Sequence, residues 1–132
     1  MSMCTRLLRP IMRQIRLPLA RTYGTVTECN SETQFDEVFQ GDIPTLIDFH
    51  ADWCGPCKIL TPTLKKVIED HAKEINLLMV NVDQFGDIAH EFDVSAIPCV
   101  KLVKEGKVID GFVGVRTQEN IEIIVNDSLG NA

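Results

Sequence analysis

No uninterrupted apolar stretch among these 132 residues approaches the roughly 18 needed to span a membrane, so no transmembrane helix is expected. Acidic residues are missing from the first 24 positions, where Arg6, Arg9, Arg13, Arg16 and Arg21 stand alone and the first acid is Glu28. A Gly-rich dinucleotide fingerprint is absent, which leaves any flavin or nicotinamide chemistry to another protein. Only one Cys-x-x-Cys occurs among the five cysteines. A structural zinc site needs four ligands and commonly a second such pair, and His50, His71 and His90 supply no familiar spacing, so no metal is expected. The chain shows no internal repeat and no low-complexity segment.

What is present divides at about residue 24. Spacings of three, four and three put Arg6, Arg9, Arg13 and Arg16 on one helical face, with Leu8, Ile11, Met12, Ile15 and Leu19 on another. Residues 1–24 therefore read as an amphipathic, basic, acid-poor presequence of the mitochondrial kind. Arginine interrupts every apolar run within a few positions, unlike the continuous apolar core of a secretory signal. A disordered basic tail is the other reading. Arg21-Thr22-Tyr23 looks like a processing site, with Gly24 near the mature N-terminus.

The whole chain has 13 basic and 19 acidic residues, a net charge of −6, and without the five leader arginines 8 face 19, or −11. So acidic a body disfavours nucleic acid and anionic lipid, and it suits a protein partner with a basic rim. Residues 25–132 have the length of one compact domain.

Within that domain the pattern alternates. Residues 25–27 read as a short edge strand. Ser31 and Gln34 form a capping box for a helix carrying Phe35, Val38 and Phe39 inward and stopping at Gly41. Residues 45–49 and 76–82 read as buried strands, with a short helical piece through Ile88, Ala89 and Phe92. Residues 100–103 and 107–115 flank the turn signal Glu105-Gly106, and Thr117 caps a last helix with Ile121, Ile124, Val125 and Leu129 on one face. These elements predict an α/β domain, a central mixed β-sheet flanked by helices on both faces.

Trp53-Cys54-Gly55-Pro56-Cys57 carries the chemistry. Two thiols two residues apart, at a turn opening a helix, form a reversible disulfide with little backbone movement. Residues 58–70 have apolar positions 60, 64, 67 and 68, which gives the helix one buried face. Cys54 is then expected at the exposed helix N-terminus, where unpaired amides favour the thiolate and make it the nucleophile. Cys57, one turn in, is the resolving thiol. Pro56 suits the first turn and Gly55 permits close approach of chain and partner. Trp53 is expected to shield the cysteines and offer an aromatic surface. Asp48 is out of place inside Leu46-Ile47-Asp48-Phe49 unless it has a task, and desolvation should push its pKa toward neutral. A water-paired aspartate is the bland alternative. His50 reads as a packing histidine, Cys29 as an exposed thiol near a helix start, and Cys99 as a small buried strand residue.

The pentapeptide resembles the active site of the thioredoxin family, and Ile47-Asp48-Phe49, Pro62, Ile97-Pro98 and Val113-Gly114 match the family pattern in order and spacing over roughly residues 25–129. Phe49-His50-Ala51 with the arginine-rich leader resembles the mitochondrial branch. The resemblance implies the thioredoxin fold and a cis bond before Pro98. It further implies that Ile97, Pro98 and Gly114 shape a substrate-binding edge, and that Asp48 exchanges a proton with Cys57. Met79 departs from the family, which often has a lysine there facing the aspartate. The implied activity is reduction of protein disulfides in the mitochondrial matrix, by a monomer that binds no cofactor. Thioredoxin reductase, using FAD and NADPH, recharges it, and peroxiredoxins are among its substrates. A redox-gated regulator that holds and releases a partner such as a kinase is the alternative.

Overall fold

The computed structural model describes residues 22–130. The leader through Arg21, with its presequence reading, lies outside the described residues. Five strands form one mixed sheet: β1 (Val26–Glu28), β2 (Thr45–His50), β3 (Asn76–Asn81), β4 (Cys99–Lys104) and β5 (Lys107–Val113). Their order is β1-β3-β2-β4-β5, with β3 parallel to β1 and β2, and with β4 antiparallel to both β2 and β5. The helices are α1 (Glu32–Gln40), α2 (Gly55–Asp70), α3 (Gly86–Glu91) and α4 (Gln118–Gly130).

Strand alternation sorts side chains into two apolar layers. Leu46, Leu77, Met79, Val100 and Leu102 face Leu60, Leu64, Val67 and Ile68 of α2 and Ile121 and Val125 of α4. Ile47, Phe49, Leu78, Val80 and Val103 face Phe35 and Phe39 of α1 and Ile88 and Ala89 of α3. Phe92 meets Phe35 and Phe39 edge-on at 5.2 Å between ring centroids, an arrangement aromatic pairs favour. The sheet is thus covered on both faces, as expected.

Local chemistry sets the helix ends. Ser31 Oγ accepts from the Gln34 amide (3.0 Å), but the Gln34 side chain reaches back to the amide of Asn30, one residue before the cap. Gly41 stops α1 in an extended rather than left-handed conformation. Thr117 Oγ1 accepts from the Asn120 amide (3.1 Å) and caps α4. Glu105 and Gly106 both take positive φ, 53° and 77°, the geometry of the tight hairpin turn joining β4 and β5.

Candidate active site

The sheet topology brings four chain segments to one edge. Parallel β2 and β3 end there, antiparallel β4 begins there, and β5 returns to the same edge, with Cys99 opposite Val113. The segments delivered are 51–57 after β2, 82–83 after β3, Ile97-Pro98 before β4 and Gly114 after β5.

Cys54 is the N-cap of α2 and is joined by a disulfide to Cys57, with 5.3 Å between their Cα atoms. The Cys57 amide donates to Cys54 Sγ (3.2 Å), the position a capping oxygen would occupy, so the sulfur lies where the helix leaves amides unpaired. Gly55 and Pro56 form the first turn. Cys57 continues the buried stripe of Leu60, Leu64, Val67 and Ile68, and therefore faces the sheet. The expectation that exposure would separate the two sulfurs does not hold: Cys54 is 4% and Cys57 3% exposed. Both cysteines pack with Ala51, and Val82 and Ile97 lie against the three. What separates the two cysteines is position on the helix.

Trp53, by contrast, is 70% exposed. Its Nε1–H donates to Asp83 Oδ2 (3.0 Å), which pins the indole beside the disulfide while Ala51, Val82 and Ile97 supply the cover. The sequence reading missed Asp83. A signal existed, because Asp83 follows a buried strand parallel to β2, and such strands deliver their C-terminal loops to the same edge. The Ile97–Pro98 peptide is cis, and the Pro98 carbonyl accepts from the Gly114 amide (2.8 Å), tying the two expected substrate-edge segments together. Gly114 has φ +91°, a conformation that favours glycine.

Asp48 lies fully buried in β2, in register with Met79 on β3 and Val100 on β4. Neither carboxyl oxygen has a hydrogen-bond partner among the described residues. Burial pushes its pKa up to about 7, with a smaller contribution from the Glu28 carboxylate. His50 is buried at the end of the same strand. Cys99 is the buried strand residue expected; burial pushes its thiol up, Lys101 pulls it down, and the Asp48 charge raises it. Cys29 is buried as well, contrary to the exposed thiol expected: it packs with Phe35 and Phe49, and its thiol donates to the Ser31 carbonyl (3.4 Å).

A sulfur pair at a helix N-terminus, packed against the residue before a cis proline, with a buried carboxyl on the strand that leads into it, is an arrangement for thiol–disulfide exchange. The family model for thioredoxin matches residues 26–127. The chain belongs to the thioredoxin family. The mitochondrial thioredoxin of Rattus norvegicus is 36% identical over 118 residues, covering 84% of this chain and 71% of that protein. The mitochondrial thioredoxin of Bos taurus is 40% identical over 95 residues, covering 72% of this chain and 57% of that protein. Among solved structures, mitochondrial thioredoxin 3 of Saccharomyces cerevisiae in its oxidised form is similar at 32% identity and a TM-score of 0.70, covering 77% of this chain and 94% of that one. A structure concerning thiol resolution in a yeast mitochondrial 1-Cys peroxiredoxin through glutathione and thioredoxin systems is also similar, at 31% identity and a TM-score of 0.70 over 81% of this chain and 99% of that one. Thioredoxins are disulfide reductases that normally hold no bound cofactor, and this thioredoxin has the redox pair in place, so it is a thiol–disulfide oxidoreductase working through Cys54 and Cys57.

Proposed function

We propose that this thioredoxin domain reduces protein disulfides in the mitochondrial matrix, with Cys54 as nucleophile, Cys57 as resolving thiol and Asp48 as the proton acceptor. The observation that carries this reading is the Cys54–Cys57 disulfide seated on the N-cap of α2. The amides of the first helical turn favour a sulfur anion at Cys54. That thiolate attacks one sulfur of a substrate disulfide; the substrate S–S bond breaks, one substrate sulfur leaves as a thiolate, and a mixed disulfide forms. Cys57 then gives its proton to the Asp48 carboxylate and attacks Cys54 Sγ. The Cys54–Cys57 bond forms, the second substrate sulfur leaves as a thiolate, and two electrons have passed to the substrate.

Ile97, Pro98 and Gly114 offer the edge along which an extended substrate segment lies, and exposed Trp53 offers the aromatic contact beside it. Gly55 and Pro56 hold the loop between the sulfurs in its helical turn. Recharging requires thioredoxin reductase, which carries the FAD and draws on NADPH. The structural likeness involving a yeast mitochondrial peroxiredoxin supports peroxiredoxins as substrates. The arginine-rich leader and the mitochondrial relatives support the location, and the matrix is the compartment to which such a presequence leads. The protein acts as a monomer.

Turnover with NADPH, thioredoxin reductase and a disulfide substrate tests this. Multiple rounds of NADPH oxidation per molecule, lost on Cys54→Ser, are the expected result. Stoichiometric, redox-dependent binding of a partner without turnover would instead make the protein a redox-gated regulator.

A further inference from the structure

Register places Glu28, Met79, Asp48 and Val100 in one row across β1, β3, β2 and β4. Residues in register share a sheet face, and Leu46, Met79 and Val100 put this one under α2 and α4. His50, two residues beyond Asp48, projects from the same face roughly 7 Å along the strand. Its Nε2 stands 3.8 Å from Oε1 of Glu28 and has no hydrogen-bond partner among the described residues. Glu28 itself keeps 65% of its side chain exposed, with its carboxylate at the water-facing end of the row.

The row supplies no charge to oppose it. Met79 occupies the position between Glu28 and Asp48, and Val100 closes the other side. From α2 the sheet-facing residues are Cys57, Leu60 and Leu64, while Lys58, Lys65, Lys66, Glu69 and Asp70 are exposed. From α4 the buried residues are Ile121, Val125 and Ser128. On β4, Cys99 and Lys101 flank Val100 and project from the opposite sheet face. Two strand spacings, roughly 9.5 Å, separate the Glu28 and Asp48 backbones with Met79 between them, and the exposure of Glu28 to water keeps its influence on Asp48 small.

We propose that Glu28 is a positioning residue for the resolving step: its carboxylate, in register with Asp48 across Met79, makes Asp48 a stronger base toward the Cys57 thiol. A negative charge nearby raises the affinity of a carboxylate for a proton, and Asp48 responds to Glu28 in that sense. Met79 between them is uncharged, so no residue of the row offsets that influence, which acts in the same direction as burial. The inference rests on Asp48 acting as the proton acceptor.

The test uses the whole domain with Glu28→Gln, Glu28→Lys and Glu28→Asp. Two quantities are read: the midpoint of the Asp48 carboxyl carbon titration by NMR, and the pH at which the rate of mixed-disulfide resolution rises, from rapid mixing. Glu28→Gln should lower both by about 0.2 to 0.7 pH unit, the range expected of a partly exposed charge. Glu28→Lys should lower both further, and Glu28→Asp should retain most of the native values. Asp48→Asn serves as the control: if its resolution profile matches the native one, Asp48 is not the acceptor, whatever Glu28 does. If the Asp48 midpoint is the same with Glu, Gln and Lys at position 28, or if it moves and the resolution profile does not, the role of Glu28 is overturned.

Discussion

A carboxyl buried without a partner binds its proton more tightly in the folded chain than in the unfolded one, and Asp48, with its pKa pushed from 3.8 to about 7, does so here. Its contribution therefore favours the native state below pH 4 and is lost as pH rises through 7. The shift corresponds to roughly 4 kcal/mol between those limits, as an order of magnitude. Asp48→Asn should accordingly stabilise the oxidised protein at pH 8 by about 2 to 4 kcal/mol and leave it nearly unchanged at pH 4; urea titrations at the two pH values check this, and equal gains at both would contradict it. The same variant should slow mixed-disulfide resolution tenfold or more, within the usual range for a general base, while leaving the first attack by Cys54 nearly intact. Asp48 was legible in the sequence because an acid within an apolar run has few innocent explanations. Glu28 was not, since it meets His50 across strand neighbours that only the sheet order reveals, whereas Asp83 was missed although its place after a buried strand pointed to the same edge.

At the scale of elements, hydrophobic period and turn chemistry placed nearly every helix and strand, because Phe35 and Phe39, or Leu60, Leu64 and Val67, commit one helix face to the core. The order β1-β3-β2-β4-β5 has no such local signature, and the structure alone reveals it. The exposure of Cys54 was misjudged for a related reason: its cover comes from Val82 and Ile97, remote in sequence. Gly111 in β5 is a further case. The strand pairing is irregular between Leu102 and Val103, where Leu102 meets Asp110 and Val103 meets Val108. Just beyond, a Cβ on Gly111 would lie 2.7 Å from the Val100 carbonyl oxygen, a backbone atom that cannot swing aside. Gly111→Ala should therefore part β5 from β4 and cost about 1 to 3 kcal/mol. Thermal unfolding should show a Tm several degrees lower, and an unchanged Tm would contradict so close an approach.

For the whole molecule, charge divides the chain into a basic leader and a body carrying −11, eight basic residues against nineteen acidic. Reversing Arg9, Arg13 and Arg16 to glutamate should abolish delivery of a passenger fused behind residues 1–24 to mitochondria, as followed by fractionation; undiminished delivery would defeat the presequence reading. The acidic body in turn favours encounter with basic-rimmed partners, whose identity covalent capture can reveal. That capture also tests the central claim, that Cys54 attacks and Cys57 resolves because Cys54 alone sits on the N-cap of α2. Cys57→Ser leaves the attacking thiolate in place but replaces the resolving thiol with a far less acidic hydroxyl, so it should accumulate disulfide-linked adducts with matrix proteins on non-reducing gels, released by reductant. Cys54→Ser should accumulate almost none. Equal capture by the two variants, or more by Cys54→Ser, would contradict the account.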